Sequence, residues 1–189
     1  QVGPHHAIPP LMDADAVAMD LAVNQPFHDD AWGDQDLSRG FFPAEMCFSP
    51  RLIPRLVEAG IDWALVPDIH LARACADYPY DATEDNCDPP NRADQLNPPQ
   101  PRYTSHFISR GVTVKVPYPF AFTPQRARHC DPATGEVHEI VVVPTAMAMS
   151  WEDGAAFMGT EHVDAIAPYN DPDRPMLVVL AHDGDNHWG

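Results

Sequence analysis

Between Gly40 and Asp68 the chain reads GFFPAEMCFSPRLIPRLVEAGIDWALVPD. That is a strand, a loop, a helix and a second strand in about the length one βαβ unit needs. Gly40-Phe41-Phe42 opens a short apolar run that ends on the acidic Glu45. Ser49 stands where an N-cap hydroxyl accepts from an orphan amide of the first turn. Pro50 then fits N1, where its missing N–H costs nothing. Leu52, Ile53, Leu56 and Val57 fall on one helical face. Pro54 deletes an amide bond early in the helix and is expected to bend it. Gly60 supplies a left-handed stop, and Ile61 to Val66 resumes as a strand. Glu45 is therefore expected just past the carboxyl end of a buried parallel strand, the edge where parallel α/β folds place their chemistry.

A second stretch repeats the pattern. Pro175 to Ala181 is a nearly continuous apolar run of strand length, as expected for a parallel strand covered on both faces. It runs straight into His182-Asp183-Gly184-Asp185-Asn186. If both strands belong to one barrel, Glu45 and Asp183 converge on a single pocket. Paired carboxylates flanking a bond are what glycoside hydrolysis needs.

Phe42-Pro43-Ala44-Glu45, in its GFFPAEMCFSPRLIPRLVEAGIDWALVPD setting, resembles the nucleophile region of glycoside hydrolase family 57. The terminal LVVLAHDGDNHWG is similar to that family's later Asp-Gly-Glu/Asp motif, and His6-Ala7-Ile8-Pro9-Pro10-Leu11 to a segment lining its pocket. The resemblance implies α/β architecture, part of an incomplete (β/α)7 TIM-like barrel, here with long Pro-rich loops. It implies a retaining hydrolase or glucanotransferase acting on α-glucans, with no cofactor and no metal. Carried over by position, Glu45 is the nucleophile and Asp183 the general acid/base. His182 and Asp185 then orient that acid, and His6 hydrogen-bonds the sugar. The family's first motif, His-Gln-Pro, has no counterpart upstream; Asn24-Gln25-Pro26 echoes its letters downstream of His6. The chain lacks an initial Met and stops at Gly189, where family members continue into further helices. Residues 1–189 are thus expected to be one partial catalytic domain. Its expected companions are the remainder of that domain or a second copy, and an oligo- or polysaccharide substrate.

The formal net charge is −17, with Lys115 the only lysine among eleven basic residues. Nucleic acid and anionic membrane surfaces are disfavoured partners, because phosphate contacts need clustered Lys and Arg. No apolar stretch reaches eighteen residues, so no membrane-spanning helix is expected. A cytoplasmic location is favoured and an extracellular one remains open. The four cysteines lack CxxC spacing, which disfavours a zinc knuckle. Cys47 and Cys75 are expected as buried thiols, whereas Cys87 and Cys130 lie in polar, Pro-rich stretches and are the better disulfide candidates.

Elsewhere, Asp13 to Val23 places Ala14, Val17, Ala18, Leu21 and Ala22 on one side of an amphipathic helix. His28 to Asp36 reads as an acidic loop around Trp32, an anchoring aromatic or a platform for a sugar ring. Asp68 and His70 follow a strand on the Glu45 edge and are candidate substrate contacts, although capping the helix-like run Ile69 to Ala76 is the better-supported job for Asp68. Residues 78–101, rich in Pro and without periodicity, read as a surface insertion. Val112, Val114 and Val116 alternate as in a strand. Asp131 to Gly135 is a turn, and Glu139 to Val143 a buried strand ended by Pro144. Trp151, beyond that strand, is a core residue or a second sugar platform. His162 to Ala167 is a last short element.

Other chemistries find less support. Asp183-x-Asp185-x-His187 has the start of a calcium loop but not its later ligands. No HExxH supports zinc, and no G-x-S-x-G supports a serine hydrolase. The alternative class is a non-catalytic protein that binds glycans or serves assembly on a degenerate barrel. A carboxylate pair about 5–5.5 Å apart would separate a retaining enzyme from that reading.

Overall fold

The structure, a computed structural model, describes residues 1–33, 35–76, 97–99, 102–107, 112–117, 119–154, 156 and 158–181, with backbone only at 102–107 and 112–117. Two compact units emerge, each assembled from two stretches of chain: residues 1–66 with 124–143, and residues 67–123 with 144–189.

The first unit holds the βαβ element. Strand β1 (Gly40–Phe41) runs parallel to β2 (Trp63–Pro67), with Gly40 opposite Trp63 and Phe41 opposite Ala64. Between them lies a 3-10 turn at Pro50–Leu52 that continues as α3 (Ile53–Glu58). Ser49 occupies the N-cap with extended backbone and Pro50 stands at N1, but the Ser49 hydroxyl makes no capping bond. The tight first turn takes its place. Pro54 has no N–H to offer the Pro50 carbonyl, which accepts instead from Ile53. Leu52, Ile53 and Leu56 are buried, while Val57 sits at the exposed margin of the face. At the other end Gly60 takes φ 77°. Its N–H reaches the Val57 carbonyl at 3.0 Å and that of Ile61 reaches Leu56 at 2.9 Å. This double closure is the Schellman motif.

Helix α1 (Ala14–Ala22) begins at Asp13, whose side chain accepts from the Ala16 N–H at 2.7 Å, and buries Val17 and Leu21. Of the stretch read as an acidic loop, His28 to Trp32 instead belong to a helix, α2 (Asn24–Trp32), closed by Gly33. Pro26 is tolerated because it falls in the first turn, whose amides have no helical partner. The side chain of Gln25 bonds Asp29 one turn on. Strands β5 (Gln125–Cys130) and β6 (Val137–Thr145) pair antiparallel from Gln125–Val142 to Cys130–Val137. The sheet order is β1-β2-β6-β5. At the expected turn, the Asp131 carboxylate accepts from Ala133 and Thr134 N–H groups at 2.7 and 3.1 Å, which hold its pKa below the usual carboxylate range. Cys130 ends a strand rather than lying in a loop, and it is an exposed free thiol, as Cys47 is a free one. Pro144 does not end β6. The Val141 N–H points to Asp62 on the β2 side, so alternation turns residue 144 the other way. There the β5 ladder has already stopped at Val142, and no bond is lost.

In the second unit, β3 (Arg102–Phe107) and β4 (Val112–Pro117) form an antiparallel pair. Helices α4 (Asp68–Arg73), α5 (Met147–Gly154) and α6 (Glu161–Ile166) accompany them. Ala121, Phe122, Ala146, Met149 and Ile166 form its core, flanked by Ile69, Met158, Met176 and Val178. Residues 175–181 are not the doubly covered strand that the apolar run suggests. They attach through one parallel bridge, Thr145 to Val179. Further bonds run from Ala146 N–H to Val179 at 2.9 Å and from Leu177 N–H to Phe122 at 2.7 Å, while Leu177 and Leu180 face solvent. Most of the expected insertion at 78–101 lies outside the described residues. Asn97, at its far end, bridges to Cys75.

Candidate active site

β1 is two residues long, yet it is firmly held. The Phe42 N–H donates to the Gln1 carbonyl at 2.8 Å and the Gln1 amino group to the Gly40 carbonyl at 2.6 Å. That is the bonding of a parallel bridge, which aligns the first residues with β1. Beyond the strand, Pro43 and Ala44 are buried and the backbone tightens into a 3-10 turn at Ala44–Met46. Met46 N–H bonds the Pro43 carbonyl at 2.9 Å and Cys47 N–H that of Ala44 at 3.1 Å. Within this turn Glu45 (φ 55°, ψ 21°) and Met46 (φ 55°) both occupy the left-handed region. Neither is glycine, and each such placement costs roughly 1–2 kcal/mol. Strain of this kind persists where surrounding bonds over-determine the backbone, and it gathers at functional sites. Its effect here is to turn the Glu45 carboxylate outward, with 64% of the side chain exposed.

A third strained residue meets the first. His6 takes φ 49°, at the close of a turn in which its N–H reaches the Gly3 carbonyl at 3.0 Å. Its Nε2 lies 3.9 Å from Glu45 Oε1, within ion-pair range and beyond a direct hydrogen bond. An open carboxylate with an imidazole beside it has the chemistry of a nucleophile and a hydroxyl-binding ring. The His5–Asp20 contact behind His6 was not legible in the sequence. His5 Nδ1 donates to Asp20 Oδ1 at 2.7 Å, and the Asp20 side chain is 10% exposed.

The remaining sequence candidates fall on several elements. Trp32 ends α2 with 75% exposure, a free aromatic surface on a helix. Trp151 is half-buried within α5, and His70 is exposed on α4. Asp68 opens α4 but is 1% exposed. Desolvation pushes its carboxyl up to about 7, opposed by the Ile69 and Met147 N–H groups, and its Oδ2 has no hydrogen-bond partner among the described residues. His182, Asp183 and Asp185 lie outside the described residues. Among the described residues no group of three or more His, Cys, Asp or Glu side chains is arranged to hold a metal. A cavity of about 690 Å³ opens in the first unit between Ala18, Gln25, Arg39, Arg55 and Gly60. It lies at the amino-terminal end of β1 and β2, away from Glu45.

No protein-family model matches the chain. It is similar to a protein named alpha-amylase from Niallia circulans, with 36% identity over 196 residues that take in 98% of this chain and 15% of that protein. Among solved structures it resembles the 4-alpha-glucanotransferase from Thermococcus litoralis, with a TM-score of 0.51 at 14% identity over 94% of this chain and 20% of that one. The chain thus spans only a small part of either protein's length, and at that identity the structural likeness is one of fold.

Proposed function

We propose that this chain is part of an α-glucan-active enzyme that cleaves or transfers glycosidic bonds with retention, on a portion of a (β/α)7 barrel. The observation that carries the reading is Glu45. It lies past the carboxyl end of a parallel strand, in a strained turn that presents its carboxylate to solvent, with His6 at 3.9 Å. Likeness over nearly the whole chain to a protein named alpha-amylase, and in fold to a 4-alpha-glucanotransferase, supports the substrate class.

In this reading a Glu45 oxygen attacks the anomeric carbon and the glycosidic C–O bond breaks. The departing oxygen takes the Asp183 proton, leaving a glycosyl ester on Glu45. Water, or a sugar hydroxyl in a transferase, then gives its proton to Asp183 and displaces Glu45. His6 hydrogen-bonds the sugar, while His182 and Asp185 orient the acid. Trp32 and Trp151 offer stacking faces, and His70 bears on substrate from α4; Asp68, at 1% exposure, does not reach it.

The test uses the natural full-length protein and maltooligosaccharides. Turnover is expected in the wild type and its loss in Glu45→Gln. An activated fluorinated α-glucosyl substrate with slow deglycosylation should leave a sugar ester on the Glu45 peptide in mass spectrometry. Turnover that survives Glu45→Gln overturns the assignment. No turnover in the wild type leaves the non-catalytic glycan-binding reading.

A further inference from the structure

The segment that carries His6 is gripped from behind. Asp20, a buried acid on α1, meets it at two points. Oδ1 accepts from His5 at 2.7 Å. In that bond the imidazole N–H donates and the carboxylate oxygen accepts. Oδ2 packs against Gly3 so closely that a Cβ there would stand 1.8 Å from it. Gly3 and His5 are the first and third residues of the turn whose fourth is His6, closed by the His6 N–H to Gly3 carbonyl bond. The turn thus has a steric stop at one residue, a hydrogen-bonded hold at another, and a left-handed backbone at the residue beside Glu45. Neighbouring α1 is itself anchored by its buried Val17 and Leu21 and by the Asp13 cap.

We infer that Asp20, acting through His5, is a positioning residue that holds the strained His6 turn in place and so sets the His6–Glu45 approach. This rests on the proposed role of Glu45 and deepens it. Asp20 touches no reacting atom. Its effect passes through a bond to a side chain adjacent in sequence to His6, and a ring displaced by an ångström loses much of its value to a transition state.

The experiment combines kinetics with a readout that needs no turnover. In the full-length protein on maltooligosaccharides, Asp20→Ala and His5→Ala are each expected to lower kcat about tenfold, with KM changed less than about twofold. Neither should lower it further in a His6→Ala background. His5→Asn, whose amide nitrogen takes the place of Nδ1, should recover most of the loss. Unchanged kcat in both Ala variants, or losses fully additive with His6→Ala, overturns the inference. Because Asp20→Ala risks the fold, His5→Ala, which removes an exposed ring, is the safer second variant. In parallel, the His6 Cε1–Hε1 resonance is followed by NMR. Glu45→Gln should shift it in the wild type and leave it unmoved in His5→Ala. A His6 signal that still responds to Glu45→Gln in His5→Ala overturns the positioning role whatever the assay gives. Absence of wild-type turnover would sink the enzymatic reading alone, and the NMR result would then decide.

Discussion

A carboxylate taken out of water must find donors or keep its proton, and Asp68 does some of each. Two backbone N–H groups reach it, yet burial prevails and lifts its pKa from 3.8 to about 7. Below about pH 4 the folded and unfolded chains both carry the proton, and the group costs nothing. Between about 4 and 7 the unfolded chain releases its proton while the folded chain keeps it, so stability falls as pH rises. Above about 7 the loss is complete, at about 4 kcal/mol. Asp68→Asn removes that dependence. It is expected to be more stable than wild type at pH 8 and to show little gain at pH 4, as measured by urea midpoints at the two pH values. A similar midpoint difference at both would refute the assignment. At this scale the sequence was only half informative. Glu45 could be located because an apolar run precedes it and a Ser-Pro helix start follows. The left-handed backbone at His6, Glu45 and Met46 left no mark, since none is glycine. The Asp20–His5 pair spans fifteen residues, a tertiary coincidence with no local signature.

At the scale of elements, legibility follows how local the cause is. The βαβ unit was readable because its signals lie within the unit: a buried Leu52, Ile53, Leu56 face, Pro50 at N1 and Gly60 at C′. The Gly60 contribution is directly measurable. Gly60→Ala forces a Cβ into φ 77° and is expected to cost about 1–2 kcal/mol, seen as a lower urea midpoint with unchanged slope. Gly60→Asn should cost less, because Asn tolerates the left-handed region. Equal stability of all three would show that the Schellman closure contributes nothing. Elements whose cause lies elsewhere were misread. Gln125 to Cys130 is a strand only because β6 pairs with it; its own residues are mostly polar. Pro175 to Ala181 looks like a core strand by composition, but it joins a strand through one bridge, with Met176 and Val178 against the core and bonds to Asn170 and Ser150 side chains. His28 to Trp32 of α2 read as loop because the residues are polar and charged and no capping side chain marks the helix start.

For the molecule as a whole, the governing feature is that the first unit is discontinuous. Its β2 lies between β1, from the first stretch, and β6, from residues 124–143. Residues 1–66 alone therefore leave one side of β2 without a partner. Joined through a short Gly/Ser linker to 124–143, they should give a dispersed amide spectrum and a cooperative urea transition. Residues 1–66 alone should give neither, and a folded 1–66 would remove the hairpin from the account of this unit's stability. The same interlacing sets an order of events on the ribosome. After Val66 is made, about eighty more residues must be synthesised before β6 is complete, a wait of roughly 4–15 s at ordinary elongation rates. Throughout that interval the β2 edge stands open and invites pairing with other nascent chains. The acidity of the opening stretch, in which Asp and Glu outnumber Arg, keeps neighbouring copies apart by mutual repulsion. Repulsion between such acidic stretches is expected to disfavour pairing of unfinished sheets during synthesis.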